Sequence, residues 1–289
     1  MLKVFKDKKM KSHIKTAEII LSALPYIQKF RGQVFVIKYG GAAQTDEGLK
    51  SDFARDIVLL QLVGIKVVIV HGGGKKINSL LDKLNIESHF EDGLRVTNKD
   101  TMEVVEMALS GLINKEITSL LVAHGARAVG ISGKDDGLLR ASAFNLEKYG
   151  FVGKIDEVNE AVINALLKED IIPVIAPIAL GANTTSYNIN ADLAASAIAA
   201  KLRASKAIFL SDIKGVLDKN GELISKLDEA KIAELKSGGT ISGGMIPKLE
   251  ASLECIKAGA KAVHIIDGRL AHSLLLEIFT DEGIGSVIR

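Results

Sequence analysis

Two lysines, each next to a glycine pair, are the side chains of this sequence best suited to chemistry. The first apolar run ends in Lys38-Tyr39-Gly40-Gly41. Glycines lack Cβ and let backbone amides approach an anion, and the Lys38 ammonium supplies charge beside them. The second is Gly243-Gly244-Met245-Ile246-Pro247-Lys248, a glycine pair before a helix with Pro247 in its first turn and Lys248 on its body. A third turn, His71-Gly72-Gly73-Gly74, stands between a strand and a helix, where amides at the positive end of the helix dipole favour a phosphate or carboxylate. If Lys38 and Lys248 converge, their charges bracket a transferring phosphoryl group and stabilise its equatorial oxygens. Spacing alone equally suits ordinary strand-end turns carrying surface lysines.

Other residues carry weaker signals. Arg95, within Gly93-Leu94-Arg95-Val96-Thr97, can clamp a carboxylate with two parallel hydrogen bonds or can be a solvated loop charge. In Tyr187-Asn188-Ile189-Asn190-Ala191-Asp192, Asn190 reads as the N-cap of a helix. Asp192 suits a first helical turn even without function, and with Asn188 it can orient a lysine and a substrate amide. Ser211-Asp212-Ile213-Lys214 follows a strand and can line a nucleotide pocket, or Asp212 can cap a turn. There is no Walker A loop, dinucleotide fingerprint, Gly-x-Ser-x-Gly elbow or HExxH pair. A zinc site is therefore not expected, and His71 reads as a turn residue.

These residues need a scaffold, and the hydrophobic pattern specifies one. Apolar runs at 34–37, 67–70, 128–131, 171–175, 207–210 and 262–266 read as strands buried on both faces. Helical patterns at 47–63, 75–84, 99–123, 159–168, 191–203 and 243–258 alternate with them. That alternation predicts an α/β fold, a mainly parallel open sheet sandwiched between helices. Turn-rich stretches at 85–97, 133–155 and 180–189 predict hairpins over the sheet's C-terminal edge, where such folds bind ligands. Residues 1–15, with their lysines, read as a solvated tail, and 16–30 as an extra N-terminal helix kinked at Pro25. That helix must pack on its own domain or on another subunit. The expected organisation is 1–30 as tail and oligomerisation helix, 31–180 as a substrate lobe and 181–289 as a nucleotide lobe.

Composition narrows the class further. With 37 basic against 35 acidic residues and only 4% aromatics, no nucleic-acid partner is expected. No apolar run reaches the roughly 18 residues of a spanning helix, so no membrane insertion is expected either. The single cysteine, Cys255, precludes an internal disulfide, and a reducing, cytoplasmic setting is the default.

Taken together, Val36-Ile37-Lys38-Tyr39-Gly40-Gly41, Val70-His71-Gly72-Gly73-Gly74, Gly93-Leu94-Arg95-Val96-Thr97, Asn188-Ile189-Asn190-Ala191-Asp192 and Gly243-Gly244-Met245-Ile246-Pro247-Lys248 resemble the N-acetyl-L-glutamate kinase branch of the amino-acid kinase family. The resemblance runs from about residue 16 to the end of the chain. It implies phosphorylation of the γ-carboxylate of N-acetyl-L-glutamate by ATP, with Mg²⁺ carried by the nucleotide and no metal site on the protein. It implies that Lys38 and Lys248 stabilise the transition state, that Asp192 holds both lysines, and that Gly41 and Gly74 offer amides to the phosphoryl group. Gly73, Gly74, Arg95 and Asn188 are then the substrate-binding residues, and Lys38, Gly40, Gly41, Ser211, Asp212, Lys214 and Lys248 the nucleotide-binding ones. The N-terminal helix and the segments 264–269 and 276–285 are similar to the arginine-inhibited type, which implies a homohexamer and an arginine site at Tyr26, His264, Glu277 and Gly283. Two stretches depart from the pattern, Ala42-Ala43-Gln44 and Lys75-Lys76. Another amino-acid kinase, or a non-catalytic arginine-binding module, are the alternatives that the motifs disfavour.

Overall fold

The computed structural model describes residues 2–241 and 245–289, so the pair Gly243-Gly244 lies outside the described residues. Strands β1 (Val34–Tyr39), β2 (Lys66–His71), β5 (Ala128–Ser132), β8 (Ile172–Ala176), β11 (Lys206–Ser211) and β13 (Val263–Asp267) coincide with the six expected apolar runs. With β12 (Lys226–Leu227) and β14 (Ser286–Ile288) they build an eight-stranded sheet in the order β12-β14-β13-β11-β1-β2-β8-β5. Every pairing in it is parallel except β13 with β14. The turn-rich stretches form the hairpin β3–β4 (Phe90–Glu91, Leu94–Arg95) and a second sheet of β6 (Leu139–Ala143), β7 (Gly153–Val158), β9 (Ile178–Leu180) and β10 (Ser186–Asn188). The expected boundary near residue 180 falls in the β9–β10 hairpin, and the main sheet continues across it.

The core sorts by sheet face, following the period-2 alternation of strand side chains. Phe35, Ile37 and Tyr39 of β1 join Ile69, Ile208 and Ile266 on one face. They pack there under α3 (Glu47–Leu62), α4 (Gly74–Lys83), α5 (Lys99–Glu106), α6 (Asn114–Ala123) and α12 (Ser273–Ile278). Val36, Val68, Val70, Phe209 and Ile265 point the other way, toward α8 (Ala161–Lys168), α9 (Ala191–Lys201), α10 (Glu229–Ser237) and α11 (Met245–Lys257). Lys38 shares the parity of Val36, so strand geometry alone commits it to the α9–α11 face. The helix expected over 99–123 is interrupted by a seven-residue π-helical segment, Met107–Ile113, a deviation that recurs at functional sites.

The N-terminus departs from expectation. The N-terminal helix starts earlier than residue 16: α1 spans Leu2–Ser22, and its break from α2 (Leu24–Phe30) falls at Ala23, just before Pro25 in the first turn of α2. The lysines are good helix formers, and neither Gly nor Pro interrupts the segment before Pro25. Phe30 anchors α2 edge-to-face on Phe35, 5.3 Å between ring centres. Met10, Ile14, Ile19, Ile20 and Leu21 of α1 are exposed. Among the described residues no helix is long and apolar enough to cross a membrane.

Candidate active site

Three charged side chains from distant parts of the chain meet at the C-terminal edge of the main sheet. Asn190 caps α9 with its side-chain oxygen, accepting from the amides of Asp192 at 2.8 Å and Leu193 at 3.2 Å. That cap sets Asp192 in the first turn. One carboxylate oxygen of Asp192 lies 3.1 Å from Lys38 Nζ and the other 2.8 Å from Lys248 Nζ. The convergence that sequence left open is therefore present. Burial pushes the Asp192 carboxyl up, but the two ammoniums outweigh it and hold it below its ordinary value. Two cations around one anion leave a net positive charge, suited to a group that carries more negative charge than Asp192 neutralises.

The glycine turns flank this triad. Gly41 opens a 3₁₀ turn, Gly41–Gln44, with a φ of +69°, a conformation that glycine adopts without steric cost. A Cβ there would also sit 2.4 Å from Asp212 Oδ1. Asp212 Oδ1 accepts from the Ala42 amide at 2.8 Å. The residue expected near the nucleotide thus also ties the β1 turn to the end of β11. Tyr39, stacked on Phe53 with ring centres 3.8 Å apart, donates from its hydroxyl to Ala43 O at 2.6 Å. After β2, Gly73 and Gly74 lead into α4, whose first-turn amides have no intrahelical partners. A Cβ on Gly73 would strike Ile113 Cδ1 at 2.3 Å and Leu109 Cδ2 at 2.8 Å. The π-helical segment therefore packs close against this turn, and a side chain there would displace the ends of Ile113 and Leu109.

Arg95 is buried, stacks over the Phe90 ring at 4.6 Å and donates to Ser88 Oγ at 2.7 Å and to Asn78 Oδ1. Its second amino group also approaches Gly74 O at 3.4 Å. No carboxylate pairs with it among the described residues, and burial lowers its pKa. A buried guanidinium without a counter-anion suits an anionic ligand. Asn188 donates to Thr97 Oγ1 at 3.2 Å, one residue beyond the Arg95 strand and its neighbour Val96. Ser211 ends β11 beside Asp267, while Lys214 is exposed in the following loop. A cavity of about 510 Å³ reaches Gly41, Gly73 and Gly74 from the α3–α4–α6 side, between Lys50, Lys75, Ser79 and Glu116. It does not include Arg95, Asn188 or Asp192.

The second predicted cluster also assembles. Glu277 Oε1 bonds His264 Nδ1 at 2.6 Å, and Oε2 accepts from the amides of Ile284 at 2.7 Å and Gly285 at 3.1 Å. Burial raises the Glu277 carboxyl, and these donors more than offset it, holding the group below its usual range. Gly283 has a φ of +65°, and a Cβ there would lie 2.6 Å from Glu277 Oε2. Tyr26 reaches the cluster's edge, its hydroxyl on Asp281 and its ring edge-to-face with Phe279. Glu277 is thus not a free partner for an incoming guanidinium. Sequence reasoning missed Lys206, whose Nζ lies 2.9 Å from His264 Nε2, and Asn114, whose amide faces His71 Nε2 at 3.2 Å. Lys206 opens a predicted strand and Asn114 sits within a predicted helix. Neither carries a local motif.

The model of the amino acid kinase family matches residues 33–267. The chain is 72% identical to an acetylglutamate kinase of Campylobacter fetus over 97% of its own length and 100% of the relative's. It is 63% identical to an acetylglutamate kinase of Campylobacter curvus, with the same coverage of both chains. Among solved structures, smu.665 of Streptococcus mutans superposes with a TM-score of 0.75 at 33% identity, covering 88% of this chain and 98% of that one. The fold also matches N-acetylglutamate synthase of Neisseria gonorrhoeae, TM-score 0.81 at 24% identity, over 93% of this chain and 62% of that longer one. The paired lysines about Asp192, the glycine turns and these matches place the chain in the amino acid kinase family, among its acetylglutamate kinases.

Proposed function

We propose that this protein transfers the γ-phosphoryl group of MgATP to the γ-carboxylate of N-acetyl-L-glutamate, yielding an acyl phosphate and ADP, a step of arginine biosynthesis. The observation that carries the reading is the Lys38–Asp192–Lys248 triad set against two glycine turns. A carboxylate oxygen attacks the γ-phosphorus, the bond to the β–γ bridging oxygen breaks, and ADP leaves with that electron pair. The acceptor has a reference pKa of about 4.3 and is already ionised at neutral pH, so no general base is required. What remains is positioning and charge stabilisation. Lys38 and Lys248 neutralise the transferring group, Asp192 keeps both ammoniums in place, and the Gly41 and Gly74 amides bind phosphoryl oxygens.

Gly73, Arg95 and Asn188 hold the amino-acid substrate, with the unpaired Arg95 guanidinium on its α-carboxylate and Asn188 near its acetamido group. Gly40, Ser211, Asp212 and Lys214 border the nucleotide. Mg²⁺ arrives with ATP, held by phosphate oxygens and water.

Arginine inhibition and a cytoplasmic homohexamer complete the proposal. The exposed apolar residues Met10, Ile14, Ile19, Ile20 and Leu21 of α1 support an intersubunit role. His264, Glu277 and Gly283, with Tyr26 at their edge, support an effector site, in which arginine must compete with His264 for Glu277. For inhibition, arginine must bind the less active state better. The test is ADP release from MgATP with N-acetyl-L-glutamate, with free glutamate as control, each with and without arginine. Activity confined to the acetylated substrate and suppressed by arginine is expected. Equal activity on free glutamate overturns the substrate assignment, and insensitivity to arginine overturns the effector site.

A further inference from the structure

The turns after β1 and β2 must serve one phosphoryl group, so their mutual register matters to the reaction. One side chain ties them together. Gln44 ends the 3₁₀ turn, and its amide nitrogen donates to two main-chain carbonyls, Tyr39 O at 3.1 Å and Gly72 O at 3.2 Å. Both partners only accept, which fixes the amide with its nitrogen inward. Each carbonyl takes a second donor: the Gly72 amide on Tyr39 O at 2.8 Å, and His71 Nδ1 on Gly72 O at 3.0 Å. His71 is fully buried, and its Nε2 faces the Asn114 amide nitrogen, so the ring carries its proton on Nδ1.

A trans peptide is planar, so a C=O and the next N–H share a plane and point opposite ways. Holding Tyr39 O therefore orients the Gly40 amide, and holding Gly72 O orients the Gly73 amide. We propose that Gln44 is a positioning residue that clamps peptides 39–40 and 72–73 in register, so that the two glycine turns, with the Gly41 and Gly74 amides one residue further on, face the same phosphoryl group. The inference rests on the phosphoryl-transfer reading above. It also gives a role to the Ala42-Ala43-Gln44 stretch, which departs from the family pattern.

Gln44→Met keeps the length of the side chain and donates nothing. Gln44→Glu sets a carboxylate against two carbonyl oxygens at neutral pH, and protonation restores one donor. In the full-length protein, Gln44→Met should lower kcat about ten- to a hundredfold, the scale of a sub-ångström misplacement, with KM for each substrate within about threefold. The deficit of Gln44→Glu relative to wild type should shrink as pH falls. Backbone amide exchange at 72–74 should quicken in both variants at neutral pH. A Gln44→Met kcat within about twofold of wild type, a loss expressed only in KM, or a pH-independent Gln44→Glu deficit overturns the clamp. If the wild type fails to phosphorylate N-acetyl-L-glutamate, the functional reading falls instead. Unchanged exchange at 72–74 then overturns the clamp on its own, and faster exchange upholds it.

Discussion

Replacing Asp192 by Asn tests the centre of the site with little change in shape. The aspartate pairs with Lys38 at 3.1 Å and Lys248 at 2.8 Å. At an effective dielectric of about 20, a unit-charge pair about 3 Å apart gains roughly 5–6 kcal/mol before desolvation. Removing one partner of a buried pair costs about 3–5 kcal/mol. The Asp192 side chain is 29% exposed, so solvent screening reduces the expected loss to about 2–3 kcal/mol. If the pairs serve to place two ammoniums for the transition state, kcat should fall about 30- to 150-fold. The local charge meanwhile becomes more positive, so KM for ATP should stay level or decrease. Steady-state ADP release with each substrate varied in turn separates these effects. A kcat within about threefold of wild type, or a loss carried wholly by a raised KM for ATP, would refute the assignment of Asp192 as the anchor of both lysines.

Gly41→Ala should lower kcat at least about tenfold, because the left-handed backbone and the Asp212 contact both resist a Cβ there; wild-type turnover would contradict the close approach. Burial lowers the His71 pKa to about 4. The unfolded chain therefore binds a proton that the folded one refuses between about pH 6.5 and 4, and stability should drop by roughly 3 kcal/mol as pH falls through that window. Denaturant unfolding of the wild type against His71→Asn checks this, the variant losing that part of the slope. Removing residues 1–22, which spares the Phe30 anchor, should leave catalysis intact and abolish the proposed hexamer in sedimentation; a hexamer unchanged by the truncation contradicts the role of α1. Gly283→Ala should weaken arginine inhibition about tenfold or more by displacing Glu277, with uninhibited kcat unaltered.

Much of the architecture was legible because it is local. Buried parallel strands read as continuous apolar runs, and all six expected runs are strands of the main sheet. Caps such as Asn190 announce their helices through side-chain chemistry at the end itself. The π-helical segment escaped notice because its apolar residues read as part of one long helix, while Leu109 and Ile113 pack near Gly73, a contact across distant sequence. Helix α12 was missed for a related reason: it has six residues and owes its place to residues buried against α3 and β13. The tail proved helical because helix formers without breakers need no core to suggest a helix, whereas the expectation had weighed only the lack of apolar residues.

The sequence by itself determined which groups were available and how each was presented: lysines close to glycine pairs, an aspartate behind a capping asparagine, an arginine in a hairpin. Strand parity even assigned Lys38 to a face, since that depends only on its neighbours. Tertiary structure alone decided that Lys38 and Lys248 share Asp192, that Arg95 is buried without a carboxylate, and that Gln44 bridges two turns. These are facts of distance between residues far apart in the chain. Period and propensity act over a few residues, and they carry no information about which strand edges meet.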